Sequence, residues 1–200
     1  MAKETLNFTD KYGAQIVYGG SNGVGEEVGV PFLKMDAQLW APGADGKAQM
    51  IASAHMPHNL VVHQGRALVL NRMFASSTYN SQGCLMFLHS ASATTNTSAI
   101  WADIAASQVT GYGAAIPPIT FSSIGTASNG TGQQTLTASA SYGITAVQTV
   151  SGAGILFHTN ATGATNLASS DVRLYCFGTF NSLQAANPST LSVTVTLSAN

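Results

Sequence analysis

Hydrophobic and polar residues alternate without a fault from Leu191 to Leu197. Leu191, Val193, Val195 and Leu197 fall on one side, and Ser192, Thr194 and Thr196 on the other. A period of two is that of a strand with one buried face and one wet face. Val172-Arg-Leu-Tyr-Cys-Phe177 alternates in the same way, and Cys84-Leu-Met-Phe-Leu88 is a dense apolar strand. Further strands are predicted at Ala99–Ile104, Ile119–Ser122, Thr145–Val150 and Gly154–His158, with turns at Asn129-Gly130, Asn160–Gly163 and Asn187-Pro188. Only one stretch has helical spacing. Asn59 reads as an N-cap, and Leu60, Val61, Ala67, Leu68, Met73 and Phe74 recur on one helical face, although Gly65 weakens that helix by about 1 kcal/mol. Many short strands and one helix predict an all-β protein, a β-sandwich or jelly-roll-like domain.

Charge divides this pattern. From Ile104 to Asn200 the chain carries two charged side chains, Asp171 and Arg173, where roughly a quarter of positions are charged in an ordinary soluble domain. Ser, Thr, Asn, Gln, Gly and Ala fill the gap, so the tract is neutral and not greasy. Ten of the fifteen charges lie in residues 1–47, which are also rich in glycine. Residues 1–58 are therefore expected to form an extended, charged N-terminal arm or small subdomain, with the sandwich occupying 59–200. Charged surfaces keep proteins apart, and a chain that gives them up is suited to life within an assembly.

The seven Lys and Arg are scattered and the net charge is −1, which argues against nucleic acid. No apolar run approaches the roughly 20 residues of a membrane helix, and no apolar leader follows Met1-Ala-Lys-Glu-Thr, so synthesis in the cytoplasm is expected. In that compartment Cys84 and Cys176 are expected as buried thiols, and the sequons at Asn7, Asn96, Asn129 and Asn160 as chance matches.

Candidate chemistry is sparse. Gly19-Gly-Ser21-Asn-Gly23 matches a nucleophile elbow in outline, but the glycines after Ser21 will not form the helix that motif needs, and a docking loop is the plainer reading. His55, His58 and His63 lie within nine residues and are weak candidates for a metal site, because no nearby carboxylate or thiol completes a ligand set. Structural or interface histidines are preferred. Asp103 reads as a capping carboxylate on an edge strand, and Asp171 with Arg173 as an ion pair. No cofactor is expected. Tyr79, Trp101, Tyr112, Tyr142 and Tyr175 among amides would suit a sugar site, but the same residues build cores and interfaces.

The order of several short motifs adds a resemblance. Gly65–Phe74 is followed by Cys84–Ser90, Ala99-Ile-Trp-Ala-Asp-Ile104 and Val109-Thr-Gly-Tyr-Gly113, then by Ile155-Leu-Phe157 and Leu174-Tyr-Cys-Phe-Gly178. Across about residues 60–180 this resembles the small β-sandwich virion structural proteins of tailed bacteriophages. The resemblance implies a non-enzymatic component of the capsid surface, a decoration or cement protein. Its partners would be the major capsid protein and sibling subunits in a homo-oligomer, with a trimer as the first choice. The aromatic residues Tyr12, Tyr18, Phe32, Trp40, Trp101 and Tyr112 are expected at those interfaces. A tail, collar or fibre component, or a receptor- or glycan-binding module, is the alternative.

Overall fold

The structure is a computed structural model, which describes residues 7–9, 15–17, 32–56, 60–74, 83–90, 97–113, 115–122, 134–158, 167 and 171–199. It is an all-β sandwich of two antiparallel sheets, with a thin helical layer on one side. The strands are β1 (Asn7–Thr9), β2 (Gln15–Val17), β3 (Phe32–Pro42), β4 (Ala48–Met56), β5 (Leu60–Val61), β6 (Gly83–His89), β7 (Pro118–Ile119), β8 (Gln134–Gly143), β9 (Gln148–His158), β10 (Val172–Ala185) and β11 (Thr190–Ala199). The helices are α1 (His63–Phe74) and α2 (Trp101–Ala105). One sheet runs β4-β3-β11-β8, the other β5-β10-β9-β6-β7, and β1 pairs only with β2.

β11 lies at the centre of the four-stranded sheet, paired with β3 from Thr190↔Trp40 to Ser198↔Phe32 and with β8 from Thr190↔Gly143 to Ala199↔Gln134. Its alternation fixes this register, because a slip by one residue would turn Val193 and Val195 out to water. β3 alternates in step: Leu33, Met35, Ala37 and Leu39 are buried, while Lys34, Asp36 and Gln38 are exposed. This corrects the expected boundary at residue 58. Residues 32–56 supply a central strand and an edge strand of the sandwich, and they are no arm. Lys34 and Asp36 raised the apparent charge of the region, yet both sit on the wet face of a strand whose other face is core.

Between the sheets lies a core of Met35, Leu39, Met86, Leu88, Ile155 and Val193 with their neighbours. The Tyr142 hydroxyl crosses this core to donate to the Met86 carbonyl oxygen at 2.7 Å, so a side chain of one sheet satisfies the backbone of the other. A second core covers the far face of the five-stranded sheet, where Leu85, Phe87, Leu156, Leu174 and Phe177 pack against Val62, Trp101 and Ile104.

The helical layer differs from the predicted elements in two places. Leu60 and Val61, expected in the helix, form β5 on the edge of β10, and the helix starts at His63. Asn59 lies outside the described residues. Gly65, expected to weaken α1, is what lets the helix lie on β10, since a Cβ there would overlap the Tyr175 carbonyl oxygen. Beside it the Gln64 side-chain oxygen accepts from the Leu174 backbone N–H at 2.9 Å. Residues 101–105, expected as a strand, form α2. Trp101 and Ile104, three apart, are both buried, and the Asp103 carboxylate accepts from the Ile100 N–H at 2.9 Å. Asp103 is thus a capping carboxylate, but of a helix.

Candidate interaction face on the four-stranded sheet

The outer face of the four-stranded sheet carries no covering layer among the described residues, and its side chains fall in rows across β4, β3, β11 and β8. One row is His55–Asp36–Thr194–Ser139, the next Ser53–Gln38–Ser192–Ser141, and the one nearest the β3–β4 turn Met50–Trp40–Thr190–Gly143. Thr135, Thr137, Ser139 and Ser141 of β8 are exposed, as is Thr190 of β11, while Ser192, Thr194 and Thr196 are half-buried. Strands about 4.8 Å apart and same-face residues about 7 Å apart turn these side chains into a neutral hydroxyl grid. Within it Ser139 Oγ and Thr194 Oγ1 share a hydrogen bond at 2.9 Å.

At the β4 end of the first row, His55 Nδ1 lies 2.5 Å from Asp36 Oδ1, and each side chain is 53% exposed. This pair joins residues 19 positions apart and was not legible before the β3–β4 register was known. Asp36 stands between the hydroxyls of Thr194 and Ser139 and the His55 imidazole. A hydroxyl nucleophile needs the imidazole between it and the carboxylate, so the row does not compose that relay. An orienting surface contact is what the geometry supports, worth little energy while it remains wet.

At the β3–β4 turn the grid ends in a shallow groove of about 420 Å³ lined by Trp40, Ala41, Pro42, Gly46, Ala48, Pro188, Thr190 and Ser192. Trp40 is half-buried in its floor. Beside it Met50 and Ile51 are 52% and 59% exposed, next to the register shift where β4 carries one extra residue against Leu39 and Trp40. Pro188 follows a cis peptide bond from Asn187 in the turn between β10 and β11.

The other predicted residues scatter. Trp101 and Tyr112 are 3% and 5% exposed, which corrects their expected place at a subunit interface: their rings are core, Trp101 edge-on to Phe87 and Tyr112 edge-on to Tyr142 at 5.0 Å in each case. Burial removes Tyr112, Tyr142 and Trp101 from any sugar site as well, and it pushes the Tyr142 hydroxyl well above its ordinary range. Tyr175 is half-buried, edge-on to Phe157 at 5.1 Å. Phe32 opens β3 opposite Ser198, and Tyr12, Tyr18, Ser21, His58 and Tyr79 lie outside the described residues. His55 stands on the outer face of the four-stranded sheet and His63 at the start of α1, on the opposite side of the sandwich. Among the described residues no three His, Cys, Asp or Glu side chains come together as a metal site. Cys84 and Cys176 form no disulfide, and burial pushes the Cys84 thiol up to about 11.

Comparisons with known proteins add no relative: no family model, no curated protein and no solved structure matches the chain.

Proposed function

We propose that this chain is a non-enzymatic structural subunit of a phage virion, a decoration or cement protein on the capsid surface. The observation that carries the reading is the neutral grid of Ser and Thr side chains across β8 and β11, on a sheet face with no covering layer among the described residues. Short hydroxyl side chains lose little rotamer freedom on contact, and their desolvation costs far less than that of a charge. Such a face suits close packing against sibling subunits and the major capsid protein. Residues 1–31, which hold the six charged residues Lys3, Glu4, Asp10, Lys11, Glu26 and Glu27 and the glycines around them, would tie neighbouring capsomers.

Two measurements test this. Antibody labelling and copy-number determination on purified particles should place the chain on the head at a copy number matching the lattice. A handful of copies at the tail would replace the reading with a collar or fibre component. Contacts of this neutrality have little Coulomb energy for salt to screen. Raising the salt on washed particles from about 0.05 to about 1 M, a change in screening length from roughly 14 to 3 Å, should therefore scarcely release the protein, and steep release would overturn the grid as the contact.

A further inference from the structure

The groove at the β3–β4 turn differs from the grid beside it, because it pairs one open aromatic side chain with neutral polar groups. The chain has two tryptophans. Trp101 is enclosed against Phe87, whereas among the described residues no ring packs on Trp40. Gln38 shares Trp40's face of β3 two residues away, Thr190 stands directly opposite on β11, and Ser192 lies diagonal to it. Pro42 and Pro188 form apolar walls. No charged side chain lines the groove. Asp45 and Lys47 flank Gly46 in the turn, and the Asp45 carboxylate accepts from the Lys47 backbone N–H at 3.1 Å.

We infer that this groove is a binding site for a neutral saccharide, with Trp40 as the stacking platform. The C–H face of a pyranose ring is flat and apolar and sits well on an indole, while its edge carries hydroxyls that both donate and accept. Gln38 offers a carbonyl oxygen and an amide, and Thr190 and Ser192 offer hydroxyls that do either. The lining itself offers a charged ligand no counter-charge. A protein partner would need about 800 Å² from this side alone, whereas a volume of about 420 Å³ lies at the lower end of small-ligand sites and holds one or two sugar rings. The groove is open, so affinity should be millimolar, about −4 kcal/mol. The inference does not depend on the virion reading, because it concerns what the isolated chain binds.

The test uses the full chain with lactose, maltose and cellobiose, followed by saturation-transfer NMR and tryptophan fluorescence. Since Trp101 is buried, a saturable fluorescence change reports Trp40. Saturable binding of at least one of these sugars, weakened tenfold or more in Trp40→Ala and about threefold in Gln38→Ala, is the expected result. Thr190→Tyr, at an exposed position, should fill the groove and abolish binding with Trp40 intact and the melting temperature unchanged. Absence of saturable binding by all three sugars overturns the site, as does binding that survives both Trp40→Ala and Thr190→Tyr. Preference for a proline-rich peptide or a sialylated sugar over all three would likewise overturn the assignment to a neutral saccharide.

Discussion

The two sheets use their strands differently, and β9 and β11 show how. In β9 the adjacent residues Ile155 and Leu156 are both fully buried, Ile155 in the core between the sheets and Leu156 beneath the helical layer. In β11 the adjacent residues Val195 and Thr196 divide, Val195 into the core and Thr196 onto the outer grid. A strand covered on both faces reads as a continuous apolar or small run, and Gly152-Ala-Gly-Ile-Leu156 is such a run. A strand covered on one face alternates. The comparison teaches that one sheet is covered by this chain's own α1 and α2, while the outer face of the other carries no covering layer among the described residues. The five-stranded sheet is also the tighter of the two. A Cβ on Gly152 would overlap the Gly178 carbonyl oxygen and the His89 imidazole, whose Nε2 donates to that oxygen at 2.9 Å.

The largest effect should come from taking a strand out of the open sheet. A chain reduced to residues 32–200 should keep the sandwich, with an unchanged near-ultraviolet spectrum and cooperative melting. A chain reduced to 48–200 loses β3, and with it Leu33, Met35 and Leu39, each worth about 1.5–3 kcal/mol when buried. That loss rivals a typical total stability of about 5–15 kcal/mol, so the shorter chain should be unfolded or insoluble; cooperative melting would show that β3 is dispensable.

Next in size, Ile155→Ala and Leu156→Ala should each cost about 2–5 kcal/mol in denaturant titrations, because both residues leave a cavity in a closed core. A small loss for Leu156→Ala alone would mean that the helical layer does not seal its sheet.

An alkaline titration should be smaller again. Burial raises the Cys84 thiol from 9.0 to about 11, and Tyr112, Tyr142 and Tyr175 shift in the same direction, also by burial. The folded state holds these protons where the unfolded state releases them. Stability is therefore fully present below about pH 9 and falls as pH rises from there through the folded value. Cys84 alone accounts for about 2–3 kcal/mol at roughly 1.4 kcal/mol per unit. Cys84→Ala should flatten the part of that slope between pH 9 and 11, and an unchanged slope would count against its burial.

The smallest effect should be on the grid. Thr196→Ala and Ser141→Ala should each change stability by no more than about 0.5 kcal/mol. The same substitutions should weaken attachment to particles, and a large stability loss would mean that the face is already in use within the chain.

The elements show what pattern can and cannot reveal. β11 was legible because its period of two coincides with one wet face, and β10 because buried and half-buried residues alternate from Val172 to Tyr175. β3 carried the same alternation from Leu33 to Leu39, but Lys34, Asp36 and a glycine-rich approach gave the region the composition of an arm. α2 was read as a strand because five residues are too few to separate a period of 2 from 3.6, and only the burial of Trp101 with Ile104 decides it. Of the aromatic interface candidates, Trp40, Trp101 and Tyr112 have the same chemistry in sequence and opposite fates in space. Nothing in the residues themselves tells an enclosed ring from an open one, nor joins Asp36 to His55 across 19 positions.

The amino-acid sequence by itself determined the class of the fold and the neutrality of its body, because alternation and composition are local properties that each strand carries alone. The tertiary structure decided which faces are covered. That outcome depends on β3 inserting beside β11, on α1 and α2 closing over one sheet, and on Trp40, Thr190 and Pro188 meeting at one turn. Each is a contact between residues distant in the chain, set by packing and register that no single segment encodes.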